Sequence, residues 1–264
     1  MTQDLKRRFG PAALITGASD GIGRAFAEQL ARQGFDLVLV ARREPILRAL
    51  AADLAAAHGI RVTVIPADLS EAGAATVVLE TTQDIPIGLL VAAAGFGSLG
   101  AFLSLDAGEE ATMVDVNCRA LVALTHGFAS RMKRQGRGGI VMFGSLVGFQ
   151  GVPGSATYAA TKGFVQSFAE GLAVELRPLG ITVLSVAPGP VRTGFGARAG
   201  MHMARAETPE TVARGALTAL RSGGTVRPGR LSKTLGWSLA LLPRRGRVHL
   251  LGQIMKGMTA KPGR

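Results

Sequence analysis

The chain has one cysteine, one tyrosine, one tryptophan and four scattered histidines among its 264 residues. A lone Cys118 can close no intramolecular disulfide and build no thiolate-rich metal site, which fits a reducing compartment. It sits in VDVNCRALVAL, where a small buried helix residue is the first reading and a catalytic nucleophile the second. His58, His126, His202 and His249 form no ligand pattern such as H-E-x-x-H, so no protein-bound metal is indicated. No apolar run reaches the roughly 18 residues a spanning helix needs. The apolar stretch from Pro11 to Thr16, behind Lys6, Arg7 and Arg8, is too short for a signal peptide and runs straight into glycines. These absences together read as a soluble, cytoplasmic protein.

Acidic residues are scarce in one part of the chain. Residues 1–191 carry 16 Lys+Arg and 16 Asp+Glu, whereas residues 192–264 carry 14 and 2, so the whole formal charge of +12 lies in the tail and the acids stop at Glu210. Such one-sidedness favours an anionic partner: a phosphate-bearing substrate such as an acyl-CoA, an acidic carrier protein, a membrane surface or nucleic acid. The competing reading is that scattered arginines only solubilise a surface. Nucleic-acid binding would rest on charge alone, with no recognised module, and ranks last.

What is present is an alternation. The length and a hydrophobic content of 47% suit one sizeable core rather than two independent domains. AALITGA at 12–18 reads as a strand, and IGRAFAEQLARQG as a helix with Ile22, Phe26 and Leu30 on one face and Gly34 placed to stop it. Further strands are FDLVLVAR at 35–42, RVTVIPADL at 61–69, IGLLVAAAG at 87–95, GGIVMFGS at 138–145 and GITVLSVAPGP at 180–190. Helical stretches separate them, among them 44–59, about 109–134 and 156–177. Continuous apolar strands between helices predict a doubly wound α/β domain with a mostly parallel sheet and helices on both faces. Residues 1–193 form that unit, and 194–264 a short substrate loop and helical extension integrated with it. In the extension Thr208 is set to cap a helix beginning at Pro209, with Val212, Ala216 and Leu220 on one face. Beyond it Trp237, Leu241, Leu242, Leu250, Ile254 and Met258 mix with Arg244, Arg245, Arg247 and Lys256. Two readings stand for these residues: amphipathic helices packed on the domain or across a dimer seam, and a peripheral membrane contact.

Between the first strand and helix lie Gly17, Ser19, Asp20, Gly21, Ile22 and Gly23. Glycines there permit a sharp turn and let a pyrophosphate approach the N–H groups at the helix N-terminus, where the helix dipole also helps. An acidic residue after the second strand would bind the adenosine ribose and repel a 2′-phosphate; this chain has Arg42 and Arg43 instead, with Ser19 as a further hydroxyl. NADP(H) is the cofactor this predicts. Asp68, followed by Leu69, either reaches the adenine amino group or caps a helix. Tyr158 and Lys162, four apart at a helix start, share one face. An ordinary phenol has a pKa near about 10, and a neighbouring ammonium would lower it enough for reversible proton transfer. Ser145 ends a strand at the crevice where such sheets bind ligands. Taken alone, Tyr158 and Lys162 read equally well as an ordinary amphipathic start.

The ordered set, comprising the glycine turn from Thr16 to Gly23, Asp68, Ala93-Ala94-Gly95, Asn117, Ser145, Tyr158 with Lys162, and Pro188-Gly189 followed by Thr193, resembles the short-chain dehydrogenase/reductase family over about residues 11–195. That resemblance implies a Rossmann-type fold. It also implies that Ser145 orients the reacting oxygen, Tyr158 is the acid/base, Lys162 lowers its pKa and binds the nicotinamide ribose, and Asn117 holds a helix distortion and a relay water. Pro188, Gly189, Val191 and Thr193 would line the nicotinamide carboxamide, and a homodimer or homotetramer is the common assembly. One departure is Ala92-Ala93-Ala94-Gly95 where the family commonly has Asn-Asn-Ala-Gly; a local loss of stability rather than inactivity is expected. The tail is similar to reductases near the 17-beta-hydroxysteroid and long-chain 3-ketoacyl reductase branch. Phe96, Phe149, Val152, Phe195, Met201 and Met203 are candidates for an apolar pocket wall. The function this points to is reduction of a ketone or ketoacyl substrate by NADPH. Oxidation of a secondary alcohol or hydroxy acid is the second reading, and a non-catalytic nucleotide-binding regulator the third.

Overall fold

The computed structural model describes residues 3–194, 196 and 206–259. Among these, seven strands form one sheet: β1 Ala12–Thr16, β2 Asp36–Ala41, β3 Val62–Pro66, β4 Ile87–Ala92, β5 Gly138–Phe143, β6 Ile181–Val186 and β7 Gly224–Val226. Their order is β3-β2-β1-β4-β5-β6-β7, and every neighbouring pair is parallel. The connecting helices are α1 Gln3–Phe9, α2 Gly21–Ala31, α3 Glu44–His58, α4 Ala74–Thr81, α5 Ala107–Val114, α6 Ala120–Gln135, α7 Ala156–Glu175 and α8 Pro209–Ala219, followed by α9 Arg230–Ala240 and α10 Arg244–Thr259.

The sheet has two covered faces, and successive strand residues alternate between them. In β1, Ala13 and Ile15 join a core with Phe26 of α2, Leu47 of α3 and Val212 of α8. Ala12 and Leu14 turn to the opposite core, with Val78 of α4, Phe128 of α6 and Val165 of α7. This double burial is why β1, β4 and β5 are buried throughout and, but for Thr16, carry no polar side chain instead of alternating. Thr16 is level with Val40 on one side and Ala92 on the other, Ala92 with Met142, and Phe143 with Val186. The strand ends therefore make one rim, and β2 and β4 leave β1 in opposite directions, opening a crevice at that rim.

Local signals behave as their chemistry dictates. Asp20 accepts from the Gly21 N–H at 2.7 Å and opens α2, and Thr208 caps α8 by accepting from the Thr211 N–H, with Pro209 as first helical residue. The helix expected over 109–134 is broken: α5 and α6 are joined by a π-helical turn, Asp115–Arg119. Two elements lie outside the sequence expectation. Among the described side chains of α1, Leu5 and Phe9 are buried, with basic residues between them, too few for a visible period. β7 is three residues long and largely exposed, yet it pairs with β6 and makes the tail part of the sheet. Leu239 of α9 and Leu251 and Met255 of α10 pack on Val152 and Ala159. The side chains of Trp237 and Met258 lie outside the described ones. No helix among the described residues is long and apolar enough to cross a membrane.

Candidate active site

The turn after β1 is built by exclusion. Gly17 has φ +66, and a Cβ there would stand 2.9 Å from the Ala93 carbonyl oxygen and from the Ala94 nitrogen. A Cβ on Gly23 would stand 2.3 Å from the Gly17 carbonyl oxygen. Any larger residue would therefore push the turn away from β4 or from the first turn of α2. The Thr16 hydroxyl accepts from the Ala94 N–H at 2.9 Å, so in this chain a side chain from β1 fixes the β4 turn where Ala92 and Ala93 offer no polar side-chain atom.

At the end of β2, Arg43 donates from Nε and Nη2 to the Ser19 hydroxyl at 3.3 and 3.0 Å, and Arg42 lies 3.5 Å from the Asp68 carboxylate. Asp68 also accepts from the Ser70 N–H at 3.0 Å and from its hydroxyl at 2.8 Å. Burial raises the Asp68 pKa, but these hydrogen bonds and Arg42 outweigh it and hold the carboxyl below its usual value. Asp68 thus shapes the turn after β3 and steers Arg42 while facing the crevice.

The first turns of α7 aim Tyr158 and Lys162 at the end of β5. Lys162 is 8% exposed and donates from Nζ to the Phe143 carbonyl at 2.8 Å, with Nζ 5.6 Å from the centre of the Tyr158 ring. Tyr158 hydrogen-bonds the Ser145 side chain, and Ser145 Oγ also accepts from the Val147 N–H at 3.3 Å. Burial pushes Tyr158 up to about 12, opposed by the hydrogen bond to Ser145, so the net shift runs opposite to the lowering expected from a neighbouring ammonium. Burial also pulls Lys162 down to about 8. At neutral pH the phenol is the standing form, and a low-dielectric setting explains both shifts because each disfavours the charged state.

Asn117 sits in the π-turn, buried at 3% exposure. Its Oδ1 accepts from the Phe96 N–H at 3.1 Å, and its Nδ2 donates to the Phe96 carbonyl at 2.9 Å and to Thr161 Oγ1 at 3.0 Å. One amide thereby clamps the segment after β4 to α7, a turn away from Tyr158. Cys118 is half-buried beside it, and burial raises its thiol pKa, which leaves it a poor nucleophile. Among the described residues no group of His, Cys, Asp and Glu could hold a metal.

Every residue expected at the cofactor, from Gly17 to Thr193, lines one cavity of about 650 Å³, with Ser145, Tyr158 and Lys162 in its wall. Asn117 stands behind it, against a small void shared with Lys162. The segment from Pro188 to Val191 is anchored at both ends: Leu146 N–H donates to the Pro188 carbonyl at 3.1 Å, and Val191 bridges to Glu207. Between them the Gly189 N–H donates to Ser232 Oγ of α9 at 2.8 Å. Ser232 is a site-shaping residue that no motif announced, as is Thr161.

The apolar wall differs from the expected one. Phe96 lines the cavity. Phe149 instead lies under the Arg227 guanidinium at 4.7 Å, and Val152 is buried behind the wall against Leu239, Leu251 and Met255. Phe195, Met201 and Met203 lie outside the described residues. The wall is made by Leu235 and Leu239 of α9 and by Leu250, Leu251, Ile254 and Met255 of α10.

A glycine-cradled crevice in a parallel sheet, facing a Ser–Tyr–Lys set one strand away, defines an oxidoreductase built to bring a nucleotide cofactor against a reacting carbon. Residues 11–203 match the family model described as short chain dehydrogenase, and the chain belongs to that family. A 7beta-hydroxysteroid dehydrogenase of Clostridium sardiniense is 32% identical over 190 residues, spanning 72% of this chain and 73% of that one. A short-chain dehydrogenase from Sphingobium yanoikuyae, solved in complex with NADPH, superposes with a TM-score of 0.80 at 34% identity over 89% of this chain and 97% of its own. The bulky-bulky ketone specific alcohol dehydrogenase from Comamonas testosteroni gives a TM-score of 0.76 at 32% identity, over 89% and 96%.

Proposed function

We propose that the chain reduces a bulky, apolar ketone to the secondary alcohol, reversibly, with NADPH as hydride donor. The observation that carries this reading is the continuity of one cavity from Arg42 and Arg43, past Tyr158, to the leucine wall of α9 and α10. Its residues fit the cofactor. The Gly17 and Gly23 positions leave room where a Cβ would collide, the α2 N-terminus offers its N–H groups to a pyrophosphate, and two arginines stand where an acid would repel a 2′-phosphate. The relatives named for a hydroxysteroid and for bulky-bulky ketones support a large apolar substrate.

The bound nicotinamide supplies the hydride. The Ser145 hydroxyl holds the substrate oxygen, and Tyr158, a phenol at neutral pH, gives that oxygen its proton. Lys162 binds the cofactor ribose and stands within reach of the phenol to stabilise the phenolate left behind. Asn117 keeps the Phe96 segment and α7 in fixed relation, so the reacting groups are held in place in advance. On this reading residues 1–193 carry the cofactor and acid/base machinery, and residues 194–264 the substrate wall of the same domain.

The test is NADPH and NADH consumption by the wild-type protein and Tyr158→Phe across aliphatic ketones, steroids, sugars and 3-ketoacyl thioesters. Turnover of bulky apolar ketones with NADPH, falling by about 10²–10⁴-fold in the variant with NADPH binding kept, is expected. Turnover that survives in the variant, or tight NADPH binding with silence across the panel, would overturn the reading; the second result would favour a nucleotide-binding regulator.

A further inference from the structure

The elbow between α9 and α10 carries exposed leucines. Leu241 is 85% exposed and Leu242 37%, and on α10 Leu250 and Ile254, one turn apart, are 37% and 39% exposed. The elbow is nonetheless fixed: Leu242 N–H donates to the Leu239 carbonyl at 3.1 Å, Arg247 Nε to the Leu242 carbonyl at 2.8 Å, and Arg247 N–H to the Pro243 carbonyl at 3.1 Å. Arg244 and Arg245 follow directly and are exposed. Leu103, 95% exposed, is by contrast followed by Ser104 and Asp106.

We infer that this elbow docks on an anionic lipid surface, with Leu241 and Leu242 entering the acyl boundary and Arg244 and Arg245 meeting the headgroups. Three observations converge on that partner. Leucines flanked by arginines match a boundary that is apolar inside and negative outside. The chain holds no acidic residue after Glu210, so nothing on α9 or α10 opposes an anionic surface. Leu250 and Ile254, on the helix that starts at those arginines, line the cavity and are partly exposed, so the helix that would meet the surface also walls the cavity. An apolar ketone dissolved in the bilayer would then reach Tyr158 without crossing water. An acidic carrier protein or a free phosphate-bearing thioester would engage the arginines but leave Leu241 without a role.

The experiment is sedimentation of the full chain with vesicles of phosphatidylcholine, alone or with one-third phosphatidylglycerol, at low and high salt. Binding is read without turnover, so the result stands apart from the reductase reading. The wild type is expected to bind the anionic vesicles, weakly at high salt, and to ignore the neutral ones. Arg244→Glu/Arg245→Glu and Leu241→Asp should each weaken binding at least about tenfold, while turnover of a water-dissolved ketone is unchanged. Wild-type protein that stays free of anionic vesicles, that binds both vesicle types equally, or whose variants bind as well as it does would overturn the inference. Lack of vesicle binding together with a wild-type dimer that Leu241→Asp splits, read by light scattering, would reassign the patch to contact between copies.

Discussion

The cofactor end and the substrate end of the cavity are built by opposite means. At the first, backbone geometry decides: Gly17 and Gly23 are spaces between main-chain atoms, and a π-turn sets Asn117 against Phe96. At the second, leucines from α9 and α10 supply area, and many apolar side chains would do the same. Gly17 and Gly23 at the cofactor end therefore tolerate one residue type each, while the opposite end tolerates exchange. Charge follows the same division, balanced up to residue 191 and net positive, 14 basic to 2 acidic residues, beyond it.

If this contrast holds, the largest effect follows from filling a backbone space. In Gly23→Ala the new Cβ meets the Gly17 carbonyl at 2.3 Å, and overpacking of this kind costs about 1–3 kcal/mol. NADPH binding by calorimetry should be lost or weakened by about 10–100-fold, with ketone turnover falling alongside. A variant that binds NADPH normally would show that the turn can give way, and the contrast would fail at its strongest point. Next comes Arg43→Ala, which removes a charge-assisted contact worth about 1.5–3 kcal/mol. The KM for NADPH should rise by about tenfold or more while that for NADH barely moves; an equal rise for both would deny Arg43 a part in reading the 2′-phosphate. At the other end, Leu239→Ala should raise the KM for a bulky ketone by about tenfold and leave NADPH affinity unchanged. A matching loss of NADPH affinity would mean that the two ends are coupled.

The smallest effect concerns Lys162, at the junction. The folded chain releases this proton near pH 8, against 10.5 for an ordinary lysine. Between those values the unfolded state holds more protons, so Lys162 makes stability rise with pH from about 8 upward. Tyr158, raised to about 12, works the other way above pH 10. In urea titrations from pH 8 to 10 the wild type should gain stability relative to Lys162→Met; a constant difference would show that the buried ammonium does not pay a desolvation cost.

The same contrast explains what could be read in advance. The alternation of elements, the Thr208 cap and the residues lining the glycine end of the cavity were legible because each depends on spacing or on a residue type with few substitutes. The direction of the Tyr158 shift was not, because proximity of Lys162 is visible in a four-residue spacing whereas burial belongs to the whole fold. Nor was the leucine wall: Leu235 and Leu251 carry no sign distinguishing a cavity face from core, and Phe149 and Val152 looked equally suitable. Ser232 escaped because its partner, the Gly189 N–H, is distant in sequence and leaves no pattern.

The π-turn has a consequence for the rod that contains it. One residue occupies about 100° of helical rotation, so the extra residue between α5 and α6 sets the azimuth of everything that follows. In a single unbroken helix Met113, Leu124 and Phe128 would fall within about 60° of one another; the π-turn offsets the stripe carrying Leu124 and Phe128 from that of Met113, and all three are buried. Deleting one residue at Asp115–Arg119 would keep every apolar side chain of α5 and α6 and turn Leu124 and Phe128 away from β4 and β5. In this molecule a phase offset in one helix is what lets α5 and α6 address two different neighbours.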